Sequence, residues 1–138
     1  VLGIEMFHKL MSEAEVGDNV GLLLKNIKKE QVSRGNMLCK PGHMKVFKSF
    51  EAKVYVLTKK EGGRHKPFVS NYKPQFFFRT SSVTGSVLLP ESTPVVMPGD
   101  SVTFKVELAS FCPLNEGLKF VIREGTLTIG AGVITKLN

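Results

Sequence analysis

Apolar and polar residues alternate along Phe50 to Leu57, in the run FEAKVYVL, and this alternation constrains the fold more than any other feature. It places Phe50, Ala52, Val54 and Val56 on one side and Glu51, Lys53 and Tyr55 on the other, the period of a half-buried strand. Shorter runs follow at Gln75 to Arg79, Ser86 to Leu89, Ser101 to Leu108, Leu118 to Arg123 and Thr126 to Ile134. Six short strands separated by turn signals predict an all-β unit, closed as a barrel or packed as a sandwich.

The punctuation supports this. Pro41-Gly42 and Pro98-Gly99 supply the Pro then Gly of a type II turn, and each marks a strand boundary. Gly62-Gly63 opens the basic stretch EGGRHKPF, whose Pro67 lacks a ladder donor, so a loop projecting into solvent is expected. The first forty residues differ. VGLLLKNI reads as one continuous apolar strand, while Phe7, Leu10, Met11 and Ala14 stand at helical spacing and predict a short helix. This part has too few strands to close a barrel, which predicts an incomplete domain or an edge that pairs with another unit. Open edges of this kind predict dimerisation or aggregation. The boundary is expected between Pro41 and Phe47.

With 42% hydrophobic and 22% charged residues, the chain lies outside the range of disordered sequences. Its net charge of +7 attracts polyanions over about 8 Å at physiological salt and makes nucleic acid the leading partner class. Cys39 and Cys112 form no CxxC pattern, which argues against a metal site or disulfide framework and fits a reducing compartment. No run of about 18 apolar residues and no charged-then-apolar leader is present, so no membrane partner is expected. Val1 in place of Met reads as the start of a cut or processed chain.

No GxxxxGK[ST] loop occurs, so nucleotide binding and hydrolysis are not expected of these residues. Gly130-Ala131-Gly132 lacks a third glycine and sits at the end of an apparent strand near the C-terminus, where a bulge or tight packing explains it better than a cofactor. His8, His43 and His65 lack metal-ligand spacing and read as surface residues, and no GxSxG elbow marks a nucleophile. Catalytic and metal residues are therefore none. Arg64, His65, Lys66, Tyr72, Lys73, Gln75 and Arg79 interleave basic, aromatic and polar groups, as an RNA-backbone surface requires. Of Phe76, Phe77 and Phe78, alternation must bury one or two.

The ordered blocks GIEMF, GDNVGLLL, RGNMLCKPG, EGGRHKPF, KPQFFFRTSSVTG, VMPGD, FVIREG and GAGVITK resemble the second half of bacterial-type elongation factor Tu along the whole chain. The resemblance implies a factor whose GTPase domain, with its GTP and Mg2+, is absent from these residues. It implies no cofactor here, and an all-β chain in which 1–42 form the C-terminal half of a β-barrel second domain. Residues 43–138 would then be a six-stranded antiparallel β-barrel third domain. IEMF becomes a strand and Lys9 to Gly17 a connecting turn, against the helical period.

In such factors the second domain holds the aminoacylated 3′ end of tRNA. Glu5 matches the position against the terminal adenine, Asn19 a residue lining the amino-acid pocket, and Arg34 the arginine near the 5′ phosphate. The third domain grips the T stem, and the matching positions are Arg64, His65, Gln75, Thr84, Arg123, Glu124 and Gly125. Polar groups of this kind read an A-form helix by shape through phosphates and 2′-hydroxyls. Implied partners are aminoacyl-tRNA, the ribosome, the factor's own GTPase domain and the guanine nucleotide exchange factor EF-Ts. Implied compartments are the mitochondrial matrix or plastid stroma, otherwise the bacterial cytoplasm.

Three departures bear on this. His8 stands where arginine is usual, Ser81-Ser82 replaces Thr-Asp, and Thr126-Leu127 replaces Gly-Arg. The cation lost at Leu127, together with histidine in place of arginine at His8, weakens the electrostatic part of RNA binding, which the overall excess of lysine is expected to offset. The alternative is a free-standing basic β-barrel that binds RNA or another protein.

Overall fold

The computed structural model describes residues 1–138, which form two compact units, Val1–Ser33 and Arg34–Asn138. There is no α-helix, and no helix is long and apolar enough to cross a membrane. The first unit is a three-stranded antiparallel sheet in the order β2-β1-β3, built from β1 (Gly3–Met6), β2 (Lys9–Met11) and β3 (Gly21–Leu23).

The helix expected at Phe7 to Ala14 does not form. Phe7 and His8 take φ of 52° and 62°, and Met6 pairs with Lys9, so the chain reverses in a two-residue turn. The helical spacing had no face to serve, because Phe7 and Leu10 are 86% and 88% exposed. Ile4 to Met6 of IEMF are strand and Phe7 is already in the turn, while the first three residues of the expected turn at Lys9 to Gly17 belong to β2. The expected continuous strand VGLLLKNI also shortens to Gly21–Leu23. Its register against Gly3 to Glu5 uses up most of the four-residue β1, and Asn26 at φ 57° turns the chain away.

The second unit contains β4 (Val46–Val56), β5 (Phe68–Val69), β6 (Gln75–Phe78), β7 (Ser81–Leu88), β8 (Val95–Val96), β9 (Ser101–Pro113), β10 (Lys119–Glu124) and β11 (Leu127–Leu137). Six of these close into an antiparallel barrel in the order β10-β11-β4-β9-β7-β6, with β6 pairing back to β10. A separate β5-β8 pair lies outside the ring.

The predicted alternation holds. Phe50, Ala52, Val54 and Val56 point inward and are fully buried, as are Phe76 and Phe78, while Phe77 lies outside. Phe50 meets Phe76, Phe78 and Phe120 edge-on at centroid separations of 6.2, 5.7 and 5.6 Å. Burying each such ring stabilises the barrel by about 1.5–3 kcal/mol, before the added gain from edge-to-face geometry.

Gly132 allows this packing, because a Cβ there would fall 2.7 Å from the Phe120 ring and 2.9 Å from the Lys53 carbonyl. A bulge accompanies it. Ile122 pairs with Gly130 but Arg123 with Thr128, leaving Ile129 without an opposite residue. Both type II turns are present, with Gly42 at φ 76° and Gly99 at φ 93°. His43 N donates to the Lys40 carbonyl at 3.0 Å, and Asp100 N to that of Met97 at 3.0 Å. Cys112 is buried and Cys39 exposed, both as free thiols.

Candidate nucleic-acid interface

Strand β6 sits between β10 and β7, and its register aligns one outward row. Arg123 pairs with Gln75, and Gln75 with Thr84, so three polar side chains stand side by side across three strands. Their direction follows from parity: Ile122 and Phe76, one residue along, fill the core. Gly125, at φ 59°, and Thr126 then turn β10 into β11, with Glu124 opposite Leu127. Arg123 Nη2 donates to the Thr126 carbonyl at 2.8 Å, and its guanidinium lies 5.7 Å from the Phe77 ring centre.

The EGGRHKPF loop reaches the same edge. It begins with a 3-10 turn, Lys59–Glu61, capped by Thr58 and ended by Gly62 at φ 89°. The Glu61 carboxylate accepts from the Tyr55 hydroxyl at 2.6 Å, the Thr58 hydroxyl at 2.9 Å and the Thr58 amide at 3.1 Å. The Tyr55 bond, then those from Thr58, hold its pKa below the usual carboxylate range. Gly63 has no room for a side chain, since a Cβ would lie 2.5 Å from the Leu57 carbonyl.

Arg64, expected to project into solvent with its loop, instead folds back until its side chain is only 19% exposed. Its Nη1 lies 3.0 Å from both Glu124 oxygens, its Nε donates to the Lys66 carbonyl at 2.8 Å, and its Nη2 to that of Pro67 at 3.3 Å. The guanidinium covers the Tyr72 ring at 4.9 Å, and that ring stacks on buried Phe68 at 4.6 Å. Burial, then the Glu124 charge, push the Tyr72 phenol up, against the pull of Arg64.

The structure thus gathers Arg64, Gln75, Thr84, Arg123, Glu124 and Gly125 at one edge of the barrel, with His65 exposed on the adjoining loop. Arg79 departs from the expected basic surface. It sits at φ 50° in the β6–β7 turn and donates to the Pro113 carbonyl at 3.2 Å and to Asn115. Arg34 is exposed near that same turn, because the next residue's carbonyl, that of Gly35, accepts from Ser81 Oγ at 2.9 Å. Thr84 lies three residue steps along β7 from Ser81, or about 10 Å. Glu5 and Asn19 belong to the first unit. Glu5 lies on β1 with its carboxylate 3.6 Å from His8 Nδ1, and Asn19 is exposed ahead of β3.

One further surface went unread in the sequence. Tyr55, Ala131, Val121 and Phe77 pair in turn across β4, β11, β10 and β6 and form an outward apolar belt. Lys53, Arg79 and Lys119 also line the groove there, whose volume is about 680 Å³. Each strand's parity was legible, but the belt exists only once the ring closes.

Residues 43–138 match the family described as Elongation factor Tu C-terminal domain. The chain belongs to the elongation factor Tu family through this domain, and is in that sense part of a translation elongation factor.

Proposed function

We propose that this chain supplies the tRNA-gripping surface of such a factor, with the barrel edge seated against the T stem of aminoacyl-tRNA. The observation that carries the reading is the Arg123–Gln75–Thr84 row beside Glu124, a line of donors and acceptors on rigid strands in which Gln75, Thr84 and Glu124 are exposed and Arg123 is half-buried. Such a line suits phosphates and 2′-hydroxyls across a shallow groove, and it reads no base sequence. Glu5, Asn19 and Arg34 serve the aminoacylated 3′ end and 5′ phosphate, on a second barrel of which 1–42 form the closing half. The apolar belt, with its cationic rim, is where the factor's own GTPase domain seats. That domain carries GTP and Mg2+, the barrels need no cofactor, and the ribosome and exchange factor EF-Ts complete the partner set. The setting is an organelle matrix or stroma, otherwise the bacterial cytoplasm.

Binding of the full chain to a short RNA duplex, a DNA duplex of the same sequence and single-stranded RNA, titrated against salt, tests this. The RNA duplex should bind best, weakly, with dissociation constants on the order of micromolar to 100 micromolar and a negative salt slope. Equal binding of RNA and DNA duplexes would reduce the barrel to a generic polycation and sink the proposal.

A further inference from the structure

Strand β9 pairs with β4 from Ser101 onward, but with β7 only over Lys105 to Leu108, opposite Leu88 to Gly85. Extending that register would set Pro90 opposite Thr103, and a proline has no N–H to give a ladder. The chain leaves β9 there. The Leu89 amide donates to Ser70 Oγ at 3.0 Å, and the Thr93 amide closes a turn on the Pro90 carbonyl at 2.9 Å. Parity decides what remains on β9. Val56 N donates to the Asp100 carbonyl at 2.9 Å, so Tyr55–Ser101 and Lys53–Thr103 are the non-hydrogen-bonded pairs of the β4–β9 ladder. The main-chain groups of Ser101 and Thr103 therefore point away from β4, toward the side that β7 has left, and nothing in the protein bonds them. Both residues are exposed. A groove of about 720 Å³ runs beside them, between Ser101 to Lys105 and residues of the Leu88–Thr93 segment.

We infer that this open edge is a strand-addition site, where an extended segment of a partner protein, alternating acidic and apolar residues, lies along β9 and continues the line of β7. Residues of that segment opposite Ser101 and Thr103 exchange main-chain hydrogen bonds with them, which supplies affinity without regard to sequence. The residues between face inward onto half-buried Leu89 and Val102, which selects small apolar side chains. The outward residues meet a cationic rim. Lys105 follows Thr103 on the same face of β9, Lys53 stands behind Thr103 on β4, and Glu51, opposite Lys105, is the carboxylate among them. With a net charge of +7 on each chain, a second copy is repelled and an acidic strand attracted. Leu88 lies four residue steps along β7 from Thr84, or about 13 Å, so the site is separate from the surface proposed for RNA and does not depend on it.

The test is titration of the full chain with a short peptide alternating glutamate and valine, followed by NMR. The Ser101 and Thr103 amide signals should move and their hydrogen exchange should slow, while Val102 and Phe104, already bonded to β4, keep their rates. Methylating the glutamate nitrogens, which face β9, should weaken binding by about tenfold or more, and methylating the valine nitrogens by less than about twofold. Lys105→Gln, an exposed change that leaves the fold intact, should weaken binding by about threefold. A peptide alternating lysine and valine should not bind. Equal losses from the two methylated peptides, or equal binding of the lysine peptide, would overturn the proposal. A dimer in sedimentation velocity that the glutamate peptide fails to dissociate would assign the edge to a second copy and overturn it as well.

Discussion

The two units use the same antiparallel pairing, yet only the second has an interior. In Val1–Ser33 no residue is buried and Phe7 stands 86% exposed, whereas Phe50 and Phe76 in Arg34–Asn138 are wholly covered. The difference lies in closure. A sheet of four-residue and three-residue strands offers each side chain only one layer of neighbours, while a ring of six strands surrounds an inward side chain on every side. Apolar sequence therefore stabilises a sheet only to the extent that topology gives it something to pack against.

The largest effect that would break this comparison is truncation of one large apolar side chain in each unit. Phe76→Ala should cost the barrel about 3–5 kcal/mol, since four aromatic rings share that volume. Leu10→Ala should change stability by less than about 0.5 kcal/mol, because the residue is already in solvent. Urea unfolding followed by tyrosine fluorescence compares the two, and similar losses would mean that the first unit buries Leu10 in solution.

Adding atoms probes closure from the other direction. Gly132→Ala should destabilise the barrel by about 1–3 kcal/mol, because the new methyl meets the Phe120 ring and a backbone carbonyl that cannot retreat without parting β11 from β4. Gly42→Ala meets no neighbour and has only the strain of φ 76° to bear, so it should cost about 1 kcal/mol. The ranking of the two melting temperatures checks whether close approach or backbone conformation governs these glycines.

Legibility followed the same division. Each barrel strand was readable because one face meets a core, which imposes a period of two on FEAKVYVL and its successors. Strand ends were less readable: β4 extends back to Val46 and β9 forward to Pro113. The register shift between Phe47 and Ser49 interrupts the alternation there, and Ala109 to Phe111 all face solvent. In the first unit nothing enforces a period, so Phe7, Leu10, Met11 and Ala14 matched a helix by accident of spacing. At the candidate interface, Gln75 could be placed outward from the parity of Phe76. The bond between Arg64 and Glu124 joins residues 60 positions apart, and only the fold reveals it.

The Phe7-His8 turn sharpens the comparison at a smaller scale. Two non-glycine residues at positive φ carry a strain of about 1–2 kcal/mol each. Replacing the pair by Asn-Gly, which favours this turn, should raise the protection of the β1–β2 amides from hydrogen exchange severalfold. The barrel amides should not change. Faster exchange in β1 would show that Phe7 makes contacts in solution that outweigh the strain.

The smallest effect concerns acid. The lowered pKa of Glu61 means that the folded state binds its proton less readily than the unfolded chain does. Its contribution is present above pH 4.5, the ordinary value, and is lost as pH falls through the lower folded value. Because the group is fully exposed, only the direction follows. Tyr55→Phe removes the largest cause of the shift, so the melting temperatures of variant and parent should differ at neutral pH and converge as pH drops below 4.5. A gap that stays constant through that range would mean that Tyr55 stabilises the barrel through its ring and not through its bond to the carboxylate. The EGGRH loop would then owe its shape to Gly63 and the Thr58 cap alone.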